Sequence, residues 1–210
     1  SVAFLGSYML ILALFVGLGD MLGGYDRYVY GQIFDNIADN MAAGYNLLDS
    51  DAFTVYSKEL GFDFYNVIVA FFTSNRYIFI LVTTLLIYLL LFFSFKQYLD
   101  NYPLGLFIFM TLWFFFTFTY LRQVIAASIG FLSIKYLIEK KPYKFFLIVI
   151  IAATFHNSAL ILALLYFMPT RAKYKPSNVV VFMILCLILG ITGLPSSVFN
   201  VYEDVTADYL

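Results

Sequence analysis

The sequence predicts an all-α integral membrane protein that crosses the bilayer several times. Of its 210 residues 63% are hydrophobic, the mean hydropathy is +0.89, and only 12% are charged, about half the charged share of a soluble domain. Aromatic residues make up 21%, which is typical of side chains that face lipid and headgroups. A net charge of −1 does not favour nucleic-acid binding. A single cysteine excludes a disulfide within the chain.

Apolar runs long enough to enter a bilayer are distributed along the whole chain. Four runs are uninterrupted: Val2–Gly19, Tyr77–Phe95, Leu104–Tyr120 and Val179–Leu194. A fifth, Arg122–Ile138, begins with an arginine, and a sixth, Phe145–Met168, is broken by a polar triplet. The sequence thus predicts a single transmembrane domain over residues 1–210. The chain begins at Ser1 without a methionine and stops after an acidic stretch, which indicates a fragment. We expect it to be the N-terminal part of a longer multi-pass protein.

Loop charges predict the orientation. Residues 20–61 carry seven acidic and two basic side chains, whereas 139–144 and 171–175 are net basic. The positive-inside rule places the two basic loops, and the loop that Lys96 opens, in the cytoplasm. The region at about 20–76 is then extracytoplasmic, as is the acidic tail that contains Glu203, Asp204 and Asp208.

The run Phe145–Met168 lies between two loops that are both predicted to be cytoplasmic. It must therefore leave and return, as a hairpin of two short helices with His156 at the outer turn. By the same reasoning Leu104–Tyr120 goes outward and Arg122–Ile138 returns. The alternative is one long tilted helix whose flanking loop charges do not report the orientation. In the hairpin arrangement Asp26, Glu59, Arg122 and His156 converge on the outer side.

Two short helices are predicted in the outer region. The first is amphipathic, because residues at helical spacing between Val29 and Met41 are apolar on one face and acidic or amide-bearing on the other. Such a helix is typical of the membrane interface. The second, Phe62–Thr73, is short and apolar, and we expect it to be interfacial or re-entrant.

Arg122 is the first candidate site residue. A charged side chain inside a membrane segment costs roughly 2.5 kcal/mol or more, so it is kept where it pairs, lines a wet cavity or binds a polar substrate. Ala126 and Ser133 lie on the same helical face and permit close approach of another helix, which should turn the guanidinium into the bundle. Its planar fork suits phosphate. The alternative is an arginine that extends to the outer headgroups.

His156 is the second candidate. Histidine can act as a base, an acid or a hydrogen-bond donor near neutral pH. It is the only histidine in the chain, so a multi-histidine metal site is excluded and no metal site is predicted. The alternative is a polar break in which Asn157 and Ser158 satisfy the free backbone groups of two short helices.

Acidic and aromatic residues of the outer region complete the candidate set. Asp26 could accept hydrogen bonds from sugar hydroxyls or serve as a base, and Tyr25 and Tyr28 could stack on sugar faces. Glu59 precedes an apolar helix and could likewise bind the acceptor sugar or serve as a base. The alternative for both carboxylates is a helix N-terminal acid that interacts with the helix dipole.

The order of these motifs resembles the EpsG-type exopolysaccharide polymerases, relatives of the O-antigen polymerases. The similar stretches are Tyr25–Tyr30, Glu59–Phe62, Leu121–Ala126 and Phe155–Ala159, which with the intervening spans cover most of residues 20–168. The chain departs from the family pattern at Leu60, where a proline is usual. Family members are also generally longer.

This resemblance implies a multi-pass glycosyltransferase of the bacterial inner membrane, with a helical bundle similar to the GT-C architecture. Such enzymes polymerise undecaprenyl-diphosphate-linked oligosaccharide units on the outer side into exopolysaccharide, capsule or O-antigen and release polyprenyl diphosphate. They need no nucleotide sugar, obligatory metal or other cofactor. A flippase and a chain-length regulator are the implied protein partners, beside membrane lipid.

On this interpretation each candidate has a role. Arg122 would hold the diphosphate and stabilise the leaving group, with Gln123 as a supporting donor. His156, Asp26 and Glu59 are candidate catalytic residues, and the choice of base among them is open. The stretch Tyr25–Tyr28, which includes Arg27, is assigned to sugar and phosphate binding.

Three other functions remain open from the sequence. A transporter or flippase would also keep an arginine and a histidine in broken helices, although it should need access from both sides. A non-catalytic membrane subunit would use Arg122 and Glu59 as a structural ion pair. The third is an O-acyltransferase, for which the single histidine is the only supporting feature in the sequence.

Overall fold

The structure, a computed structural model, describes residues 1–19, 24–44, 59–168 and 175–192, and these form only helices and their connections. The chain divides into two units, Ser1–Met168 and Pro169–Leu210. The second unit contains one described helix, α9 (Pro176–Ile191). The helices of the first unit are α1 (Val2–Gly17), α2 (Tyr25–Ala42), α3 (Leu60–Ala70), α4 (Arg76–Tyr98), α5 (Tyr102–Leu112), α6 (Phe116–Thr119), α7 (Leu121–Ile138), α8 (Pro142–Phe155) and a 3₁₀ helix (Asn157–Phe167).

Two of the described helices, α4 and α7, are long and apolar enough to cross a membrane. The other apolar helices, including α1 and α8, have 10–17 residues. The all-helical prediction is confirmed for the described residues. Three predicted locations fall outside them: residues 45–58 of the outer region, the basic stretch 171–174 and the acidic tail.

The long helices of the first unit pack side by side in the order α1, α4, α7 and α8. Helices α1 and α4 are antiparallel, because a Cβ at Gly17 would meet Leu81 whereas one at Gly6 would meet Phe92. Helix α7 turns into α8 through Lys140, which has a φ of 55°. The next amide, of Lys141, donates to the Tyr136 carbonyl, a bond that terminates the helix as a Schellman motif does.

The predicted hairpin is confirmed. Phe145, in the first turn of α8, contacts Tyr166, in the last turn of the 3₁₀ helix, with ring centroids 5.6 Å apart, while His156 forms the turn at the opposite end. Fourteen α-helical residues and eleven 3₁₀ residues both extend about 21–22 Å. The two arms therefore match in length although their residue numbers differ, and each is shorter than the roughly 30 Å hydrocarbon core.

The predicted span Leu104–Tyr120 is wrong as a single helix. It is divided into α5 and the single turn α6 by Trp113–Phe115. The Trp113 and Phe114 amides both donate to the Phe109 carbonyl, so the α-helical register is lost there. The aromatic side chains at this break pack in different directions, since Trp113 contacts Phe131 of α7 and Phe114 contacts Phe15 of α1.

Helices α2 and α3 cover one end of the bundle. The amphipathic prediction for α2 is confirmed: Tyr30, Ile33, Phe34 and Ile37 are buried, and its polar face is outward. Phe34 stacks on Phe79 of α4 with centroids 4.4 Å apart. Its apolar face thus packs on protein. The bundle end covered by α2 and α3 holds every candidate residue and is called the site end below.

Candidate functional site

A buried carboxylate joins three of the predicted residues. Glu59, with 7% of its side chain exposed, lies 2.5 Å from His156 Nδ1 through Oε1 and 3.1 Å from Arg122 Nη1 through Oε2. The Asn157 backbone N–H also donates to Oε1, at 3.2 Å. The sequence separates these residues by 63 and 97 positions. The structure therefore assembles Glu59, Arg122 and His156 into one cluster, named the charged cluster below.

Helix starts position all of these groups. Glu59 immediately precedes α3, Arg122 is in the first turn of α7, and Asn157 begins the 3₁₀ helix. The Glu59 side chain does not cap its own helix α3. It accepts instead from the free N–H at the start of the 3₁₀ helix. Unpaired N–H groups and the helix dipole make such starts favourable for anions, and the Glu59 carboxylate takes that place at the 3₁₀ helix.

Close approach of α3 to α8 brings Glu59 within reach of His156. A Cβ added at Gly61 would lie 2.2 Å from Thr154 Oγ1 and 2.9 Å from the Thr154 carbonyl carbon. Any larger residue at this position would push the two backbones apart. Gly61 is therefore required because its neighbour on α8 occupies the space that a side chain would need.

Two aromatic rings flank the Arg122 guanidinium. Its Cζ lies 5.4 Å from the Tyr30 ring centroid and 5.9 Å from that of Phe62, within cation–π range. Burial raises the pKa of the Tyr30 hydroxyl above its usual value, and the nearby Arg122 charge partly opposes that shift. The side chain of Arg122 keeps 28% exposure, so it is oriented by protein contacts and still open to a ligand.

His156 is held in a defined orientation. With Glu59 ionised, the Nδ1 atom that faces it carries a proton, because an ionised carboxylate only accepts hydrogen bonds. In the neutral imidazole the Nε2 atom then has the lone pair and can accept a proton. His156 is 21% exposed. A carboxylate that orients a histidine in this way is the arrangement that general-base catalysis uses.

Arg27 contacts the end of α1. It is fully buried, and its Nη2 donates to the Val16 carbonyl at 2.7 Å, where a cation stabilises the C-terminal end of α1. This burial argues against direct contact with a substrate and favours a role in fixing α2 against α1. The substrate-binding role of Arg27 stays a prediction without support from its position.

The remaining candidates lie around the cluster. Asp26 is partly exposed, one helical turn before Tyr30 on α2, and it fits both of its alternatives. Tyr25 and Tyr28 are exposed. Gln123 is exposed on α7 and lines a groove with Ser158. Their roles stay predictions.

Comparison with known families gives a match over nearly the whole chain. The profile of the EpsG family matches residues 4–210. The chain belongs to the EpsG family. Membership in EpsG supports a membrane protein of exopolysaccharide biosynthesis. Comparisons with the curated proteins and with the solved structures each give no match.

Three contributors to this EpsG site were missed by sequence reasoning. Tyr30 and Phe62 lie inside the stretches that carry the family resemblance, and this is the signal that could have identified them. Gly61 lies in such a stretch too. Its contact with Thr154 is tertiary, and no local pattern marks it. The Arg122–Glu59 ion pair was anticipated only for a non-catalytic subunit.

Proposed function

We propose that this EpsG chain polymerises undecaprenyl-diphosphate-linked oligosaccharide units by glycosyl transfer on the extracytoplasmic side of the bacterial inner membrane. The observation that supports it is the charged cluster: a partly exposed arginine and an oriented histidine share one buried carboxylate. The proposal includes a multi-pass bundle of GT-C-like type and a site end that faces outward.

The transfer assigns one task to each residue of the cluster. Arg122 binds the donor diphosphate and stabilises the charge that grows on it as the bond from the anomeric carbon to the diphosphate oxygen breaks. His156 Nε2 takes the proton of the acceptor hydroxyl, whose oxygen forms the new bond to that carbon. Glu59 orients His156 through Nδ1. Polyprenyl diphosphate leaves.

The residues around the cluster are proposed to hold the acceptor and the donor headgroup. Exposed Tyr25 and Tyr28 stack on sugar rings, Asp26 accepts from sugar hydroxyls, and Gln123 donates to the diphosphate. Within the described part of the chain, His156 is oriented by a second group and Asp26 is not, which favours His156 as the base. No role in substrate contact is proposed for Arg27.

Polymer length in cells tests the proposal. Cells lacking the gene are complemented with wild type, Arg122→Ala or His156→Asn at matched protein levels. Removing one such group costs on the order of 10²–10³-fold in rate, so single lipid-linked repeats should accumulate. Lys135→Ala is the matched control: this basic side chain is exposed in the last turn of α7, at the other end of the helix whose first turn contains Arg122. Normal polymer from both cluster variants would reject the site.

A non-catalytic subunit is the second candidate, because the observed Arg122–Glu59 contact is the ion pair that this alternative requires. The double variant Glu59→Gln with Arg122→Met separates the two functions. Replacing both members of a buried pair by neutral groups is often close to neutral for stability. A structural pair therefore predicts restored protein level and polymer, whereas catalysis predicts restored protein level without polymer. Repeats trapped on the cytoplasmic face would instead favour a flippase.

A further inference from the structure

A groove leads away from the charged cluster along the bundle. It has a volume of about 350 Å³ and lies between α7 and the 3₁₀ helix, beside Trp113. Its α7 wall runs from Gln123 to Ile134, at the helical spacing that puts residues on one face, and its other wall runs from Ser158 to Leu165. Eleven residues of α-helix correspond to a length of about 16 Å.

Polarity changes along this groove in one direction. Both walls begin at the site end, since Gln123 follows Arg122 in the chain and Ser158 is two residues after His156. Beyond Gln123 and Ser158 the lining is aliphatic or aromatic, with no side chain at Gly130. The groove therefore has a polar mouth next to the charged cluster and an apolar floor.

Two other grooves of the bundle lack this continuity. A groove of about 360 Å³ between α1 and α4 is lined by apolar residues and by Tyr88, whose hydroxyl is hydrogen-bonded to Thr117. A groove of about 210 Å³ between α4 and α5 is apolar. The lining of neither groove includes a neighbour of the charged cluster. These two suit any apolar chain, whereas the α7 groove suits a molecule with an anionic head and an apolar tail.

We propose that the α7 groove seats the first apolar segment of the donor's prenyl tail while Arg122 holds its diphosphate. The inference rests on the proposed function. In a bilayer an apolar chain gains little by leaving lipid for protein, because both surroundings are apolar. Occupancy must therefore come from the covalent link to a bound head. That link favours the donor lipid over bulk phospholipid tails.

Photolabelling in lipid nanodiscs tests this placement. The probe is farnesyl diphosphate with a diazirine on its tail, and the control probe is phosphatidylglycerol with a diazirine on an acyl chain. Label from the first probe should concentrate in residues 124–134 and 158–165, and excess inorganic diphosphate should prevent it. The control probe should label the outer surface of the bundle without that preference.

Matched variants make the test specific. Ala127→Phe fills the α7 groove, and Leu89→Phe places the same ring in the α1–α4 groove of similar volume. The ring of Ala127→Phe takes the space that the prenyl tail would occupy, so this variant should reduce diphosphate-dependent labelling about tenfold, with Leu89→Phe near wild type. Ile161→Trp, on the opposite wall, is a second blocking variant in case Ala127→Phe unfolds.

The outcomes separate the two proposals. In one outcome, labelling depends on Arg122 and is prevented by competing diphosphate, but the label spreads over the whole apolar surface. That result would overturn the proposal for the groove and leave the diphosphate site intact. Equal labelling in Ala127→Phe, Ile161→Trp and wild type would also overturn it. Label that does not respond to Arg122→Ala or to diphosphate would overturn the groove together with the proposed function.

Discussion

Replacing Gly61 by alanine would put a methyl group where the start of α3 touches the end of α8. The added Cβ would lie 2.2 Å from Thr154 Oγ1, 2.7 Å from Thr154 Cβ and 2.9 Å from the Thr154 carbonyl carbon. Rotation of the threonine can relieve only the first contact. The other two involve the Thr154 backbone and Cβ, so the helices themselves must separate.

The size of that separation follows from ordinary contact distances. Carbon atoms are comfortable at about 3.5–4.0 Å, so relief of the 2.7 Å contact with Thr154 Cβ requires a shift of at least about 0.8 Å. Glu59 lies two residues from Gly61 and His156 two residues from Thr154, so their 2.5 Å contact would lengthen by a comparable amount. Misplacement of about 1 Å can cost 10²-fold in rate, and overpacking costs about 1–3 kcal/mol of stability.

Polymer yield per folded molecule is the assay, with thermal unfolding of the detergent-purified protein beside it. Gly6→Ala is the matched control, since its Cβ would meet only Phe92 at 3.5 Å, and helix α1 gains propensity from alanine. Adding Thr154→Gly to Gly61→Ala removes two of the three close contacts and should restore part of the activity. Full activity and unchanged stability in Gly61→Ala alone would refute the argument that close approach positions Glu59.

Three further outcomes are expected. Arg27→Met removes a buried hydrogen bond to the Val16 carbonyl and should lower the free energy of unfolding by about 1–3 kcal/mol, while the polymer yield per folded molecule is retained. Lost polymer at unchanged stability would indicate that Arg27 binds substrate after all. Asp35→Ala breaks a partly exposed pair with Arg76 and should cost at most about 1 kcal/mol, so a larger loss in thermal unfolding would contradict its surface character. Burial raises the pKa of Tyr30 in the folded protein, so above pH 10 this hydroxyl ionises in the unfolded chain first and the free energy of unfolding should fall. Tyr30→Phe should make that alkaline decline less steep. An unchanged decline would exclude Tyr30 as its source.

The hairpin at His156 could be predicted because charge parity constrains it. The positive-inside rule predicts that the two basic loops share a side, so that the intervening segment must return, and Phe145 contacts Tyr166 as a returning segment should. The amphipathic face of α2 was equally predictable, since its apolar residues recur in the sequence at helical spacing. The break at Trp113–Phe115 was not, because Leu104–Tyr120 is uniformly apolar and hydropathy does not register where aromatic side chains pack.

Sequence by itself determined that this chain is a membrane protein with Arg122 and His156 as candidates, because a polar or charged side chain inside an apolar run is costly. Glu59 was a candidate because it directly precedes an apolar helix. Tertiary structure decided which of them touch. Glu59 and Asp26 have similar local settings, each at the start of a short helix, yet only Glu59 contacts Arg122 and His156. That choice depends on the close approach of α3 to α8 at Gly61, a contact between segments more than 90 residues apart, and local pattern carries no information about such distances.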